Sequence, residues 1–334
     1  MRQLHIGDIS TANPVALAPM SGVTDIVFRR IAARLGAGLV VSEMVASGEL
    51  ITGKEEARVR MDGDGIFPHV VQLAGREPRW MAEAARLAEA AGADVVDINM
   101  GCPAKKVTGG YSGAALLKDL NLACAMIEAT VAAVAVPVTV KMRLGWDDHS
   151  IVAPVLAKRA VDLGARMITI HGRTRAQFYN GTADWPAIRA VVEAVDAPVI
   201  ANGDVTSPDR AQSILDVSGA AGVMIGRGAQ GRAWLPGLVA QRLAGDADAN
   251  PPSLEDQFDL ALEHYDGLLS LYGVENGVRH ARKHLDWYVL AAAETCNGVF
   301  PPEQRAKLMT ATSPADARKA LREAFDVLGW KAAA

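Results

Sequence analysis

Four side chains in this 334-residue chain stand where short apolar runs give way to glycine, and together they could do chemistry: Cys102, Gln72, Lys141 and His171. Cys102 lies in Asp97-Ile-Asn-Met-Gly-Cys-Pro-Ala-Lys-Lys-Val-Thr-Gly-Gly110. Residues 94–99 read as the end of a buried strand, and the chain turns at Gly101 and Pro103. A thiol where a strand runs out, followed by a glycine-rich loop carrying Lys105 and Lys106, reads as a reactive site. A buried small hydrophobe is the competing reading, since free cysteine is among the most buried residue types. Lys141 begins Lys141-Met-Arg143 at the end of another apolar run. A buried ammonium is costly unless paired, so Lys141 calls for an anion: a carboxylate such as Asp97, or a bound cofactor. Gln72, Lys141 and His171, ringed by glycines, suit a flat anionic ligand. Flavin mononucleotide (FMN) fits, with an amide at the ring edge and a cation at its electron-accepting end. Its phosphate would lie on the loops Asn202-Gly-Asp204 and Gly226-Arg-Gly228, where exposed backbone N–H groups receive anions.

These residues need elements that bring strand ends together. Eight apolar runs recur, at residues 15–18, 39–42, 69–73, 95–99, 138–142, 167–171, 199–202 and 222–225. Most are too continuously apolar for strands with one wet face, so both faces are covered. Amphipathic helical pattern lies between them, at 79–90, 121–134, 151–163 and 209–217. Residues 47–58 carry the least clear helix. Eight strands and eight helical slots predict a (β/α)8 TIM barrel, whose active sites lie at the carboxyl ends of the strands. A doubly wound open sheet is the alternative, weakened by the lack of G-x-G-x-x-G after an early strand. Near residues 245–252 the composition turns to a linker, and only helical signals follow. One helix starts at Ser253 with a capping box, and others span 278–292 and 302–310. A last one runs from Ser313-Pro314 to near Gly329. The reading is therefore two domains, an FMN-binding TIM barrel over residues 1–245 and an all-helical domain over 246–334.

The net charge of −4 excludes a globally basic nucleic-acid binder but leaves room for a local basic patch. Three cysteines, Cys102, Cys124 and Cys296, show no CxxC pair and no zinc spacing, so neither a disulfide framework nor a metal is expected. Cys124 and Cys296 read as core. The first ten residues do not form a signal peptide, and no apolar run approaches the ~20 residues of a membrane span. A cytoplasmic protein is expected.

The stretches Ala18-Pro-Met20, Asp97 to Gly110, Lys141-Met-Arg-Leu-Gly145, His171-Gly-Arg-Thr174, Asn202-Gly-Asp204 and Gly226-Arg227 resemble the tRNA-dihydrouridine synthases. Gly277-Val-Arg-His-Ala-Arg-Lys-His-Leu-Asp-Trp-Tyr288 resembles their B-type bacterial branch. The resemblance implies reduction of the C5–C6 double bond of a D-loop uridine in tRNA, at position 17 in the B-type branch. It implies FMN as cofactor and NADPH as reductant. Ala18, Pro19, Met20, Gln72, Lys141, Asn202, Gly203, Asp204, Gly226 and Arg227 fall on flavin-binding positions, with His171 near flavin and substrate. Cys102 is the implied proton donor at C5. A free thiol, with an ordinary pKa near ~8.5, is mostly protonated at neutral pH and can donate. The base must leave its stack to be reached, so the tRNA backbone needs a grip. Asn99 at the strand end would meet the substrate, with Lys105, Lys106 and Arg173 on the barrel and Arg279, Arg282 and Lys283 on a helix face. A flavin barrel acting on free pyrimidines and a non-enzymatic tRNA chaperone are the alternatives.

Overall fold

The computed structural model describes residues 3–109 and 111–329. It opens with an antiparallel hairpin, β1 (His5–Ile6) and β2 (Ile9–Ser10). Gly7 turns it at φ +62°, and the Gly7-Asp8 pair was the available hairpin signal. Nine further strands follow: β3 (Val15–Leu17), β4 (Leu39–Val40), β5 (Val45–Ala46), β6 (Val70–Ala74), β7 (Val95–Met100), β8 (Val138–Arg143), β9 (Met167–His171), β10 (Val199–Asn202) and β11 (Gly222–Ile225). They pair in parallel in the order β4-β3-β11-β10-β9-β8-β7-β6-β5. A parallel bridge from Val41 to Val70 joins β4 to β6 and closes the sheet. β4 and β5 are thus two halves of one barrel strand, interrupted at residues 42–44, and the barrel has eight positions.

The interior is layered. Leu4, Ile6, Ala16, Leu39, Val41, Val70, Val95, Met167, Ile200 and Met224 fill the lower barrel, with the hairpin supplying its plug. Alternate residues further along the same strands point inward too, and here they are polar: Gln72, Asp97, Asn99, Thr139, Lys141, Thr169, His171 and Asn202. The opposite strand faces meet the helices in the larger apolar core. The helices are α1 (Ile26–Arg34), α2 (Ser47–Ile51), α3 (Glu55–Met61), α4 (Pro78–Ala90), α5 (Lys105–Thr108), α6 (Leu120–Val131), α7 (Ala153–Asp162), α8 (Trp185–Val192), α9 (Pro208–Ser218) and α10 (Leu235–Leu243). The faint slot at residues 47–58 is two short helices, α2 and α3. Side-chain caps from Asp25, Asp119, Asp184 and Ser207 start four of the helices close behind the loops that carry the polar cluster.

Four helices follow among the described residues: α11 (Leu254–Tyr272), α12 (Val274–Thr295), α13 (Pro302–Thr310) and α14 (Pro314–Val327). Ser253 and Asp256 form the expected capping box. Gly277 is inside α12 and does not start it. A Cβ there would lie 2.8 Å from Leu268 O and Leu269 Cα, so glycine allows α11 and α12 to cross closely. A buried interlock ties this region to the barrel. Asp25, which caps α1, meets His264 of α11 at 3.2 Å, and the Tyr288 hydroxyl of α12 meets the other ring nitrogen at 3.3 Å. Burial alone would raise the Asp25 pKa, but His264 holds it down at about 2. His284 joins Asp25 and His264 in the one set of potential metal ligands that meets among the described residues. No described helix is long and apolar enough to cross a membrane.

Candidate active site

The cysteine loop is built from β7 outward. Asn99 turns its side-chain oxygen to the N–H groups of Gly101 at 3.1 Å and Cys102 at 2.9 Å. Arg143 of β8 donates to Gly101 O at 2.8 Å. Ala114 N–H donates to Cys102 O, and Gly113, at φ +60°, folds back against it. A Cβ on Gly113 would come within 2.9 Å of Cys102 O, which explains the glycine. Cys102 itself is half-buried. Strand register then sets its neighbours. Asn99 pairs with Lys141, Arg143 with His171, and His171 with Asn202.

Beside the loop lies a cavity of about 250 Å³. Ala18, Pro19, Met20, Lys141, His171, Asn202, Gly203, Asp204, Gly226 and Arg227 all line it. Four cations surround His171, and burial together with Lys141, Arg143, Arg173 and Arg227 pushes its pKa well below the usual imidazole value. It is therefore neutral at physiological pH. Lys141 opens onto the cavity yet is enclosed by protein. Burial, helped by Arg143, lowers its pKa to about 8, against the opposing pull of Asp97 and Cys102. Its ammonium donates to Asn202 Oδ1 at 3.3 Å. Asp97 acts on it only through space, its carboxylate oxygens accepting from Gln72 and Thr139.

Two expected roles meet an obstacle. Gln72 is buried, and its amide bridges Asp97 and Asn99, so it supports the site from beneath and does not line the cavity. Arg173 was expected on the surface as a grip for tRNA, but it is 1% exposed. Its guanidinium donates to both Asp204 oxygens at 2.9 and 2.7 Å, to Gly181 O at 2.6 Å and to Asn180 O at 3.1 Å. Strand β9 ends just before it, and the next turn folds back over it. Asp204, although burial would raise its pKa, is held below the usual carboxylate value by Arg173 and the Ala183 N–H.

The basic face on α12 also divides. Arg279 is exposed and pairs with Glu275 at 2.9 Å. Arg282 donates to Ala311 O at 2.8 Å. Lys283 is half-buried beside Gly22 and feels Glu43 and Asp25. Trp287 is half-buried and Tyr288 buried. Lys105 is exposed, while the Lys106 side chain and Gly110 lie outside the described residues. Cys124 and Cys296 are half-buried against the core.

The sequence reading missed Tyr179 and Arg232, which also line the cavity. Tyr179 stacks under Arg227, 4.8 Å from its ring centroid. Arg232 had a signal: Gly231-Arg232 repeats the Gly226-Arg227 pattern five residues on. A larger open cavity of about 620 Å³ lies at the amino ends of β6 and β7, between Glu55, Asp62, His69 and Asp94. It faces away from every strand end that carries the polar cluster.

An eight-position parallel barrel with its polar cluster at the strand carboxyl ends defines an α/β-barrel enzyme. Residues 16–326 match the dihydrouridine synthase (Dus) family. The chain is 55% identical over 318 residues to a probable tRNA-dihydrouridine synthase of Rhizobium leguminosarum bv. phaseoli, covering 95% of this chain and 97% of that one. It is 45% identical to tRNA-dihydrouridine synthase B of Xanthomonas campestris pv. campestris, covering 97% and 96%. The chain belongs to the dihydrouridine synthase family, and it is an oxidoreductase. The fold is shared with an old yellow enzyme homologue from Zymomonas mobilis at 18% identity and a TM-score of 0.52, covering 76% of this chain and 95% of that one.

Proposed function

We propose that this protein reduces the C5–C6 double bond of D-loop uridine in tRNA, using FMN and NADPH, with Cys102 as the proton donor. The observation that carries this reading is the convergence of Cys102, Lys141 and the Ala18-to-Arg227 cavity at one barrel mouth, in a member of this family. The residues fit a flavin phosphate. Arg232 Nε is buried without a hydrogen-bond partner among the described residues, and Arg232 and Arg227 both line the cavity. At Gly226 an added Cβ would meet only Ala18 and Met20, at 3.7 and 3.9 Å, so glycine leaves that space to a ligand. When bound, FMN supplies the hydride for C6, drawn from NADPH.

The chain's own residues supply the rest. Cys102 Sγ gives its proton to C5, completing addition across the double bond. Lys141 places positive charge beneath the cavity, where it stabilises an anionic ligand. Neutral His171 serves as a hydrogen-bond partner. Asn202, Gly203, Asp204, Gly226 and Arg227 hold the phosphate end. Asn99, expected to meet the substrate, is instead buried and engaged by Gln72 and the Gly101 and Cys102 N–H groups, so it holds the cysteine loop at the strand end. In this reading residues 1–245 form the catalytic domain and residues 246–334 the tRNA-binding domain, acting in the cytoplasm. Lys105, Lys106, Arg279 and Lys283 provide the grip that turns the base out of its stack, and position 17 is the favoured target.

The test is Cys102→Ala. Its flavin should be reduced by NADPH at close to the normal rate. Reoxidation by tRNA should fall roughly 10²–10⁴-fold, the usual cost of one general acid. Reoxidation by tRNA at the unmodified rate would end the proton-donor assignment.

A further inference from the structure

We propose that Asp97 is a positioning residue for Cys102, acting through a one-way chain of hydrogen bonds that runs inside the barrel along the adjacent strands β8, β7 and β6. The inference rests on the reading of Cys102 above only for its effect on turnover. Thr139 Oγ1 donates to Asp97 Oδ1 at 2.6 Å, and Gln72 Nε2 donates to Asp97 Oδ2 at 2.7 Å. Asn99 Nδ2 donates to Gln72 Oε1 at 2.7 Å. Asn99 Oδ1 then accepts from the N–H groups of Gly101 and Cys102. Gln72, Asp97, Asn99 and Thr139 are each at most 8% exposed.

The direction of the chain is fixed from both ends. At the cysteine end stand two backbone N–H groups, which can only donate. The Asn99 atom facing them must be oxygen, so its nitrogen faces Gln72, and Gln72 must turn its own oxygen there. The Gln72 nitrogen is then left to face Asp97. A carboxylate offers two acceptor oxygens and no donor, so it admits only this direction. Burial, the largest influence, raises the Asp97 pKa above the usual carboxylate value, and Gln72, Thr139 and the nearby Lys141 pull it back in part. If the chain ran the other way, the Asn99 nitrogen would face the Cys102 N–H, donor against donor, and the loop would lose its anchor on β7.

An apolar side chain at position 97 breaks this logic. Asp97→Leu leaves the Gln72 nitrogen without its acceptor, so nothing at that end holds the Gln72 amide with its oxygen turned to Asn99. Asp97→Asn is the matched control: its oxygen takes Gln72 while its nitrogen donates to the Thr139 hydroxyl, which accepts as well as donates, and the direction is kept.

The experiment uses holoenzyme and three readouts: melting temperature, reoxidation of reduced flavin by tRNA, and iodoacetamide alkylation of each thiol followed by mass spectrometry. In Asp97→Leu, reoxidation should slow about tenfold, on the scale at which misplacement by a fraction of an ångström is felt. Cys102 alkylation should change at least about threefold, with Cys124 and Cys296 unchanged as reporters of general loosening. In Asp97→Asn both Cys102 readouts should stay within about twofold of wild type even where the melting temperature drops. Thr139→Val alone keeps the carboxylate and should also stay within about twofold on both. The proposal is overturned if Asp97→Leu matches wild type on both Cys102 readouts, if Asp97→Asn disturbs them as much as Asp97→Leu, or if Thr139→Val alone does so. Alkylation reads the loop whether or not Cys102 is the acid. Failure of the proton-donor reading would therefore appear in Cys102→Ala and leave this result standing.

Discussion

Arg173 offers the sharpest separation between a residue that grips tRNA and one that holds the site together. Arg173→Met keeps the length and apolar stem but removes the guanidinium. Five hydrogen-bonding contacts go with it: two to Asp204, one each to Gly181 O and Asn180 O, and a long one of 3.4 Å to His171 Nε2. Removing one partner of a buried ion pair typically costs about 3–5 kcal/mol. Asp204 retains the Ala183 N–H at 2.8 Å and a long contact to Arg227 at 3.4 Å, and 18% of its side chain faces water. The cost should therefore fall at the low end, about 3 kcal/mol, which lowers the melting temperature by about 4–6 °C. The effect has a pH signature. The Asp204 pKa is lower in the folded protein than in the unfolded chain, so its pairing contributes full stability above the ordinary carboxylate range, about pH 4. That contribution is lost as pH falls through the folded value. The gap between wild type and Arg173→Met should thus be widest at neutral pH and close in acid. Scanning calorimetry across pH, with tRNA binding at two salt concentrations, makes the comparison. An Arg173→Met protein with wild-type melting, weaker tRNA binding and a flatter salt dependence would refute this account and restore the surface role.

Lys141, with its pKa near 8, should make FMN affinity of the apoprotein fall as pH rises through about 8, since its charge is lost there. Flavin fluorescence titration should show that dependence vanish in Lys141→Met, together with weaker binding throughout. Arg279→Ala should weaken tRNA binding and reduce its salt slope by about one counterion. Arg282→Ala should instead lower thermal stability by about 1 kcal/mol, because it removes a bond to Ala311 O; equal salt-slope changes for both would contradict the division of that face. His264→Phe strips Asp25 of its buried partner and should loosen α11 and α12 from α1, seen as faster amide exchange in those helices. Unchanged exchange would show that apolar packing alone docks them.

Much of this protein is determined by short-range pattern. Seven of the eight apolar runs became barrel strands within a residue or two, while 39–42 gave only the first half of its strand and β5 lay beyond it; a strand covered on both faces stays largely apolar until its inward residues reach the polar cluster. The Ser253 capping box and the Ser313-Pro314 start are local hydrogen-bond chemistry and needed nothing distant. The strand-end residues flanking glycines were legible for the same reason: a barrel puts strand carboxyl ends together whatever the loops do. What the sequence could not decide was how each polar side chain is used once it arrives. Arg173 and Arg227 are both arginines just past a strand, yet one is buried against Asp204 and the other is exposed. That difference comes from the turn through Asn180 and Gly181, which closes over one of them. Lys141 called for an anion, and Asp97 stood ready in sequence, but the fold turns the ammonium to Asn202 and the carboxylate to Thr139 and Gln72. The helix expected from residue 278 begins at Val274, and only the crossing of α11 over α12 makes Gly277 a contact point. Strand register, loop closure and helix crossing are tertiary facts, and they decide which of several possible partners a polar group meets.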